Sequence, residues 1–98
     1  MNFYEQVWEQ TRKIPEGRVS TYKDIAESLS SRAYRALGTA LNKNPYAPEV
    51  PCHRVVNSDG RVGNFASGTS KKVKILKKEG VSIKGGKVVN FDEIRCKF

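Results

Sequence analysis

Three prolines spaced three apart, Pro45, Pro48 and Pro51, deny a helix to the middle of this chain. Each fixes φ, removes a backbone donor and pushes its predecessor towards extended backbone. Helices must therefore lie on either side. Asn2 with Glu5 has the spacing of a capping box. Phe3, Val7, Thr11 and Ile14 follow at helical intervals, with Tyr4 and Trp8 beside them, and Pro15 stops this first helix. Thr21 with Asp24 repeats the box. Tyr22, Ile25, Ala26 and Leu29 then make one face of a second helix over 22–29. Ser30-Ser31-Arg32 is a tight connection to a third helix over 33–43, in which Tyr34, Leu37 and Leu41 are expected to face the core. Two short helices joined so closely form a helix-turn-helix pattern.

Val19-Ser20 and Val55-Val56 read as short extended stretches, and residues 62–68 as a loop. Thr69 or Ser70 can cap a basic helix that runs to Glu79 and closes on Gly80. Val81, Ile83 and Val88 flank Gly85-Gly86, a two-residue hairpin signal. The tail to Phe98 carries no strong pattern. The expected fold is mainly α with small β elements: a winged-helix-like helix-turn-helix DNA-binding domain with a short C-terminal hairpin. A length of 98 residues allows one core, so 1–98 is expected to be a single domain.

Charge narrows the partner. Lys and Arg number 18 against 10 Asp and Glu, a formal net of +8, which points first to nucleic acid. The competing reading is that the excess lysine only keeps the chain soluble. No apolar run approaches the roughly 20 residues of a membrane span, and no charged leader precedes an apolar segment. A cytoplasmic place without membrane contact is expected. Two cysteines 44 positions apart make no disulfide framework and suit a reducing compartment.

The third helix has an unusual second face. Arg35, Thr39 and Asn42 share a side away from the core, with Ala36 and Gly38 beside them. Small residues around one arginine suit a helix that another surface approaches closely, such as a nucleic-acid groove. The alternative is that Ala36 and Gly38 pack on a neighbouring loop and Arg35 is merely solvated. Cys52 and His53 are the most chemical pair. A thiol becomes a good nucleophile on losing its proton, and an imidazole can accept that proton directly or through a water. Adjacent residues on a strand point to opposite faces, so cooperation requires a bend, which Pro51 could set. The alternative for Cys52 is a small buried hydrophobe. One histidine and two distant cysteines supply no zinc set, so no metal is expected.

The run Val50-Pro51-Cys52-His53-Arg54-Val55-Val56 resembles the active-site signature of the O6-alkylguanine-DNA alkyltransferases. Ser20-Thr21-Tyr22, Arg35-Ala36-Leu37-Gly38, Asn44-Pro45, Val62-Gly63-Asn64-Phe65 with Gly68, and Lys78-Glu79-Gly80 resemble other segments of that family, so the likeness spans most of the chain. It implies the family's C-terminal catalytic domain and DNA repair by direct reversal. Cys52 would take the alkyl group from guanine O6 irreversibly, in a single turnover and without a cofactor. His53, linked to Cys52 through a water, would serve as base, and Glu79 would orient it. Arg35 would fill the space of a base flipped from the minor-groove side, with Ala36, Gly38 and Thr39 against DNA. Tyr22 would crowd the phosphate. Asn44 would brace the active-site segment. Val62, Phe65, Ala66 and Ser67 would line the alkylguanine pocket with Tyr22, and the carbonyls of Cys52 and Val62 and the amide of Ala66 would read the base edge.

The implied partner is double-stranded DNA containing O6-alkylguanine, met by a monomer, with association to the nucleoid. Three departures stand out. The family's usual N-terminal α/β domain does not precede the first helix, so a natural single-domain form and a piece of a larger fusion are both open. Phe65 replaces the usual pocket tyrosine, whose lost hydroxyl implies slower transfer. Ala66-Ser67 replaces the usual Ser-Gly or Ser-Trp. Two other readings compete. Alkyltransferase-like proteins bind lesions without transfer, but typically carry tryptophan in place of the cysteine. A helix-turn-helix regulator would need base-reading side chains that the Ala/Gly-rich face of the third helix lacks.

Overall fold

Asn2 accepts the Glu5 N–H at 2.9 Å and Glu5 reaches back to the Asn2 N–H at 3.5 Å, so α1 (Phe3–Arg12) opens on the expected capping box. The computed structural model describes residues 1–47, 49–63 and 69–98. The chain continues through β1 (Ser20–Thr21), α2 (Tyr22–Ser28), α3 (Tyr34–Asn42), a 3-10 turn at Cys52–Arg54, β2 (Val55–Val56) and α4 (Thr69–Lys78). It ends with β3 (Ile83–Lys84), β4 (Lys87–Val88) and α5 (Phe91–Ile94). The domain is thus mainly helical with two small sheets, and α2 and α3 form the helix-turn-helix.

Two cores meet at a parallel pair. β1 and β2 pair with Ser20 opposite Val55 and Thr21 opposite Val56. Successive side chains on a strand alternate between faces. Val55 accordingly enters a core with Val7, Ile25, Leu37 and Leu41 of the first three helices, while Val56 enters a second with Val62, Leu76, Val81 and Val88. The helix pair and α4 therefore lie on opposite sides of this pair. The hairpin β3–β4 forms around Gly85-Gly86 as the sequence predicts, Ile83 opposite Val88. Among the described residues no helix is long and apolar enough to cross a membrane.

The tail proves to be structural. Val19 donates to the Ile94 carbonyl at 3.1 Å and accepts from the Cys96 N–H at 2.6 Å, which lays the tail along β1. The Ser20 hydroxyl donates to the Cys96 carbonyl at 2.8 Å. Arg95 then clamps α2, its Nε and Nη2 donating to the Asp24 carboxylate at 2.7 and 2.9 Å. The Phe91 ring lies over Gly60, where an added Cβ would stand 3.3 Å from the ring in a backbone of φ +88°. Periodicity could not disclose this, because each contact joins the last residues to elements some 30 to 75 positions earlier.

Tyr34 departs from expectation. It begins α3 and is 46% exposed rather than core-facing, leaving Leu37, Ala40 and Leu41 to supply the buried stripe. The turn between the helices carries a second departure from ease. Ser31 donates to the Ala26 carbonyl and Ser30 to that of Glu27, the two bonds of a helix end closed by a left-handed residue. That residue is Ser30, at φ +53°. A side chain there costs about 1–2 kcal/mol, and glycine would remove the strain while adding some unfolded-state entropy. Ser30→Gly is expected to raise stability by about 0.5 kcal/mol, seen as a higher urea midpoint at unchanged slope. A lowered midpoint would show that Ser30 is held by more than its backbone.

Candidate active site

Pro51 sets the bend that the cysteine segment requires. With φ −82° and ψ 70° it makes an inverse γ-turn, in which the Cys52 N–H donates to the Val50 carbonyl at 2.9 Å. The same carbonyl accepts from Asn44 Nδ2 at 2.7 Å, and Asn44 Oδ1 accepts from the Tyr46 N–H at 2.9 Å. The chain then tightens into the 3-10 turn, closed by the Arg54 N–H on the Pro51 carbonyl at 2.9 Å. The turn replaces the extended backbone at this segment. Cys52 is half-buried against the first core, and His53 is buried and turns towards α4.

Glu79 ends α4. Gly80 takes the left-handed conformation just past it, its N–H donating to the Lys77 carbonyl while that of Val81 donates to Leu76. The Glu79 carboxylate lies 3.0 Å from His53 Nε2 and accepts from Arg54 Nε at 2.9 Å and Nη2 at 2.6 Å. Arg54 Nη1 donates to the Ile14 carbonyl at 2.8 Å, tying the group to the end of α1. Burial alone would raise the Glu79 carboxyl, but the bonds and charges of Arg54 and His53 hold it below the usual carboxylate range. An ionised carboxylate only accepts, so His53 Nε2 carries the proton that Glu79 receives.

Two further side chains stand near the thiol. Lys72 is fully buried on the inner stripe of α4, and its Nζ donates to the Val55 carbonyl at 2.7 Å. Burial pushes its ammonium down to about 8, partly countered by the negative charge available on Cys52. Burial raises the Tyr22 hydroxyl, and the same Cys52 charge raises it further. Tyr22 and Lys72 thus lie near enough to feel the charge of Cys52, while His53, its neighbour in the chain, joins Glu79. Sequence reading missed Lys72 and Arg54. The signal for Lys72 was present, a lysine four positions before Leu76 on an otherwise apolar stripe. The partner of Arg54 lies 25 positions away and leaves no local trace.

The carboxylates make the domain acid-sensitive. Asp24 behaves like Glu79: burial would raise it, but Arg95 and Thr21 hold it below the usual range. A carboxyl whose folded value is lowered contributes stability that is complete above its unfolded value and lost as pH falls through the folded one. Stability is therefore expected to hold down to about pH 5 and decline below about pH 4. Urea midpoints across pH test this. Asp24→Asn should flatten the decline, and an unchanged profile would remove Asp24 from the acid response.

On α3, Arg35 is exposed and the Thr39 hydroxyl donates to the Arg35 carbonyl at 3.0 Å. Among the described residues, nothing lies within 4 Å of a Cβ built on Gly38, so none of them packs against it there. Next to this face, Tyr22, Lys23, Tyr34, Asn57 and Ser58 line an open cleft of about 370 Å³. Val62 is buried in the second core, its N–H donating to the Gly86 carbonyl at 2.9 Å. Phe65, Ala66 and Ser67, expected at the pocket, lie outside the described residues, as do Asn64 and Gly68.

Comparison with known proteins agrees in sequence and in fold. The sequence model of the 6-O-methylguanine DNA methyltransferase DNA-binding domain matches residues 2–81. A methylated-DNA–protein-cysteine methyltransferase of Methanosarcina barkeri is 48% identical over 79 residues, 80% of this chain and 50% of its own. The chain spans about half the length of the curated methyltransferases it matches at this level. The crystal structure of Mycobacterium tuberculosis OGT in complex with DNA superposes with a TM-score of 0.76 at 35% identity, over 81% of this chain and 50% of that one. The Schizosaccharomyces pombe protein Atl1, solved with damaged DNA containing O6-carboxymethylguanine, gives 0.85 at 32% identity over 98% of this chain and 95% of its own. By sequence match and by fold, the chain belongs to the 6-O-methylguanine DNA methyltransferase family.

Proposed function

We propose that this domain is a catalytic alkyltransferase domain that moves an alkyl group from guanine O6 in double-stranded DNA to Cys52, once per molecule. The observation that carries the reading is a half-buried Cys52 in a 3-10 turn followed at once by a buried His53 that Glu79 holds at 3.0 Å. In the proposed step the thiol proton passes, through a water, to His53 Nδ1. The sulfur attacks the alkyl carbon in line with the departing oxygen, a C–S bond forms and the C–O bond breaks. Its electrons return to the guanine ring, which takes up the proton that His53 gives back through water. Glu79 holds the imidazole in the required tautomer and stabilises its charged form.

Recognition would fall to the helix pair. We assign Arg35 to the space left by the flipped base, with Ala36, Gly38 and Thr39 against the minor groove. Tyr22 would press on the adjoining phosphate, and Val62, Phe65, Ala66 and Ser67 would line the base pocket. Asn44 would act as a brace on the carbonyl before Pro51. A single domain over 1–98 that meets DNA as a monomer, in the cytoplasm and associated with the nucleoid, belongs to the same reading, whether or not further domains accompany it.

A second reading is a lesion-binding protein without transfer, favoured by the near end-to-end superposition on Atl1. Cys52 separates the two. After incubation with a duplex bearing O6-methylguanine and digestion, the peptide containing Cys52 should gain the mass of a methyl group replacing hydrogen. Tight binding to that duplex with an unmodified peptide would establish the second reading.

A further inference from the structure

The net charge does not sit where the helix pair meets its proposed partner. Residues 1–60 hold eight Lys and Arg against seven Asp and Glu, whereas residues 61–98 hold ten against three. Much of the excess is on α4. Lys71, Lys74, Lys77 and Lys78 are all exposed, and at roughly 100° per residue they fill the arc opposite the buried Lys72 and Leu76. The hairpin extends the surface. Ile83 shares the second core with Val73 and Leu76 of α4, and beside it Lys84 stands directly opposite Lys87, both exposed.

This arrangement works against stability. Like charges directly across a strand pair repel, as do lysines three and four apart on a helix. Among the described residues, the ion pairs found engage none of these six ammonium groups. The surface is also chemically uniform. Lysine is a compact, hydrated point charge without the planar fork that shapes an arginine pocket. Residues 69–88 expose no large hydrophobic side chain of the kind that anchors a protein partner, and the apolar face of α4 is already buried. Such a face suits a regular polyanion whose phosphates are met without sequence reading. It is built on the second core, whereas α3 is built on the first.

We propose that the α4–hairpin face is a second DNA-contact surface, which takes the phosphates of another duplex segment while α3 holds the first. The inference rests on the reading of α3 as the primary DNA face. It gives the protein a route from one duplex to the next by direct hand-over, without full release.

The test follows release of the full chain from a short fluorescent duplex as unlabelled duplex is added. For the unaltered protein the release rate should rise with competitor concentration, because the second duplex is engaged before the first departs. In the variant Lys71→Gln/Lys74→Gln/Lys77→Gln/Lys78→Gln the rate should become independent of competitor, while affinity for a single short duplex and alkyl transfer from it stay unchanged. The milder pair Lys74→Gln/Lys78→Gln should show an intermediate loss and serves if the fourfold variant folds poorly. Competitor dependence that survives both variants overturns the inference. So does a fall in short-duplex affinity matching the loss, which would place the lysines within the α3 footprint. Acceleration by polyglutamate equal to that by duplex would assign the face to an acidic polypeptide instead. If the unaltered protein binds no duplex, the reading of α3 fails; if it binds duplex but releases it without competitor dependence, only the present inference fails.

Discussion

Cys52→Ala is expected to abolish alkyl transfer and leave the affinity for alkylated duplex close to that of the unaltered protein. The thiol is the one group that forms a bond in the proposed step. Lys72, a nucleophilic side chain near it, is fully buried and donates to the Val55 carbonyl. DNA contact, by contrast, would come from the outer face of α3 and from phosphate-facing cations, whereas Cys52 packs on the first core. The unaltered protein should stop after one equivalent, since a thioether offers no easy leaving group by which to regenerate the thiol. The measurement is repaired guanine against protein added. Repair that continues beyond one equivalent, or that persists in Cys52→Ala, would end the assignment. Equal binding by both forms with no repair by either would leave a lesion sensor.

How much of this was legible in the sequence depends on the range of the interactions. The first three helices were readable because their signals are local: Asn2 with Glu5, Thr21 with Asp24, and apolar residues at helical spacing. The hairpin was readable from Gly85-Gly86. Cys52 and His53 stood out as a pair, and family likeness rather than spacing singled out Glu79. The rest failed for physical reasons. Tyr34 fits the helical stripe, but at the first position of α3 its side chain extends beyond the packed part of the helix. The tail looked empty because its role lies in long-range pairing: Arg95 is 71 positions from Asp24. Arg54 was quoted as part of a motif, yet its bidentate hold on Glu79 and its bond to the end of α1 appear only in three dimensions. Lys72 was read as one more charge on a basic helix, although its position on the buried stripe set it apart from the lysines of the outer face.

Loss of Glu79 should have the largest effect on stability. Its carboxylate is shared by His53 and by two arms of Arg54, and the three side chains are 10, 5 and 16% exposed. Removing one partner of a buried charged group leaves the others uncompensated, at a cost of about 3–5 kcal/mol. A domain of this size has about 5–15 kcal/mol to lose, so Glu79→Ala should lower the urea midpoint sharply. Glu79→Gln separates stability from chemistry. Its amide keeps the shape and one acceptor, so more of the fold survives, but it cannot balance a charged imidazole and it sets an N–H against Arg54. If His53 acts as the base and Glu79 orients it, transfer from duplex should slow by about a hundredfold or more. Lesion binding should change little, because no atom of this group lies on α3. The decisive comparison is the single-turnover rate of Glu79→Gln against that of Arg54→Ala under conditions where both remain folded. Arg54→Ala removes one partner of Glu79 and leaves the His53–Glu79 contact in place, so it should cost stability more than rate. A Glu79→Gln protein that transfers at the unaltered rate would show that His53 needs no orienting carboxylate, and Glu79 would then be a structural anchor for Arg54 alone.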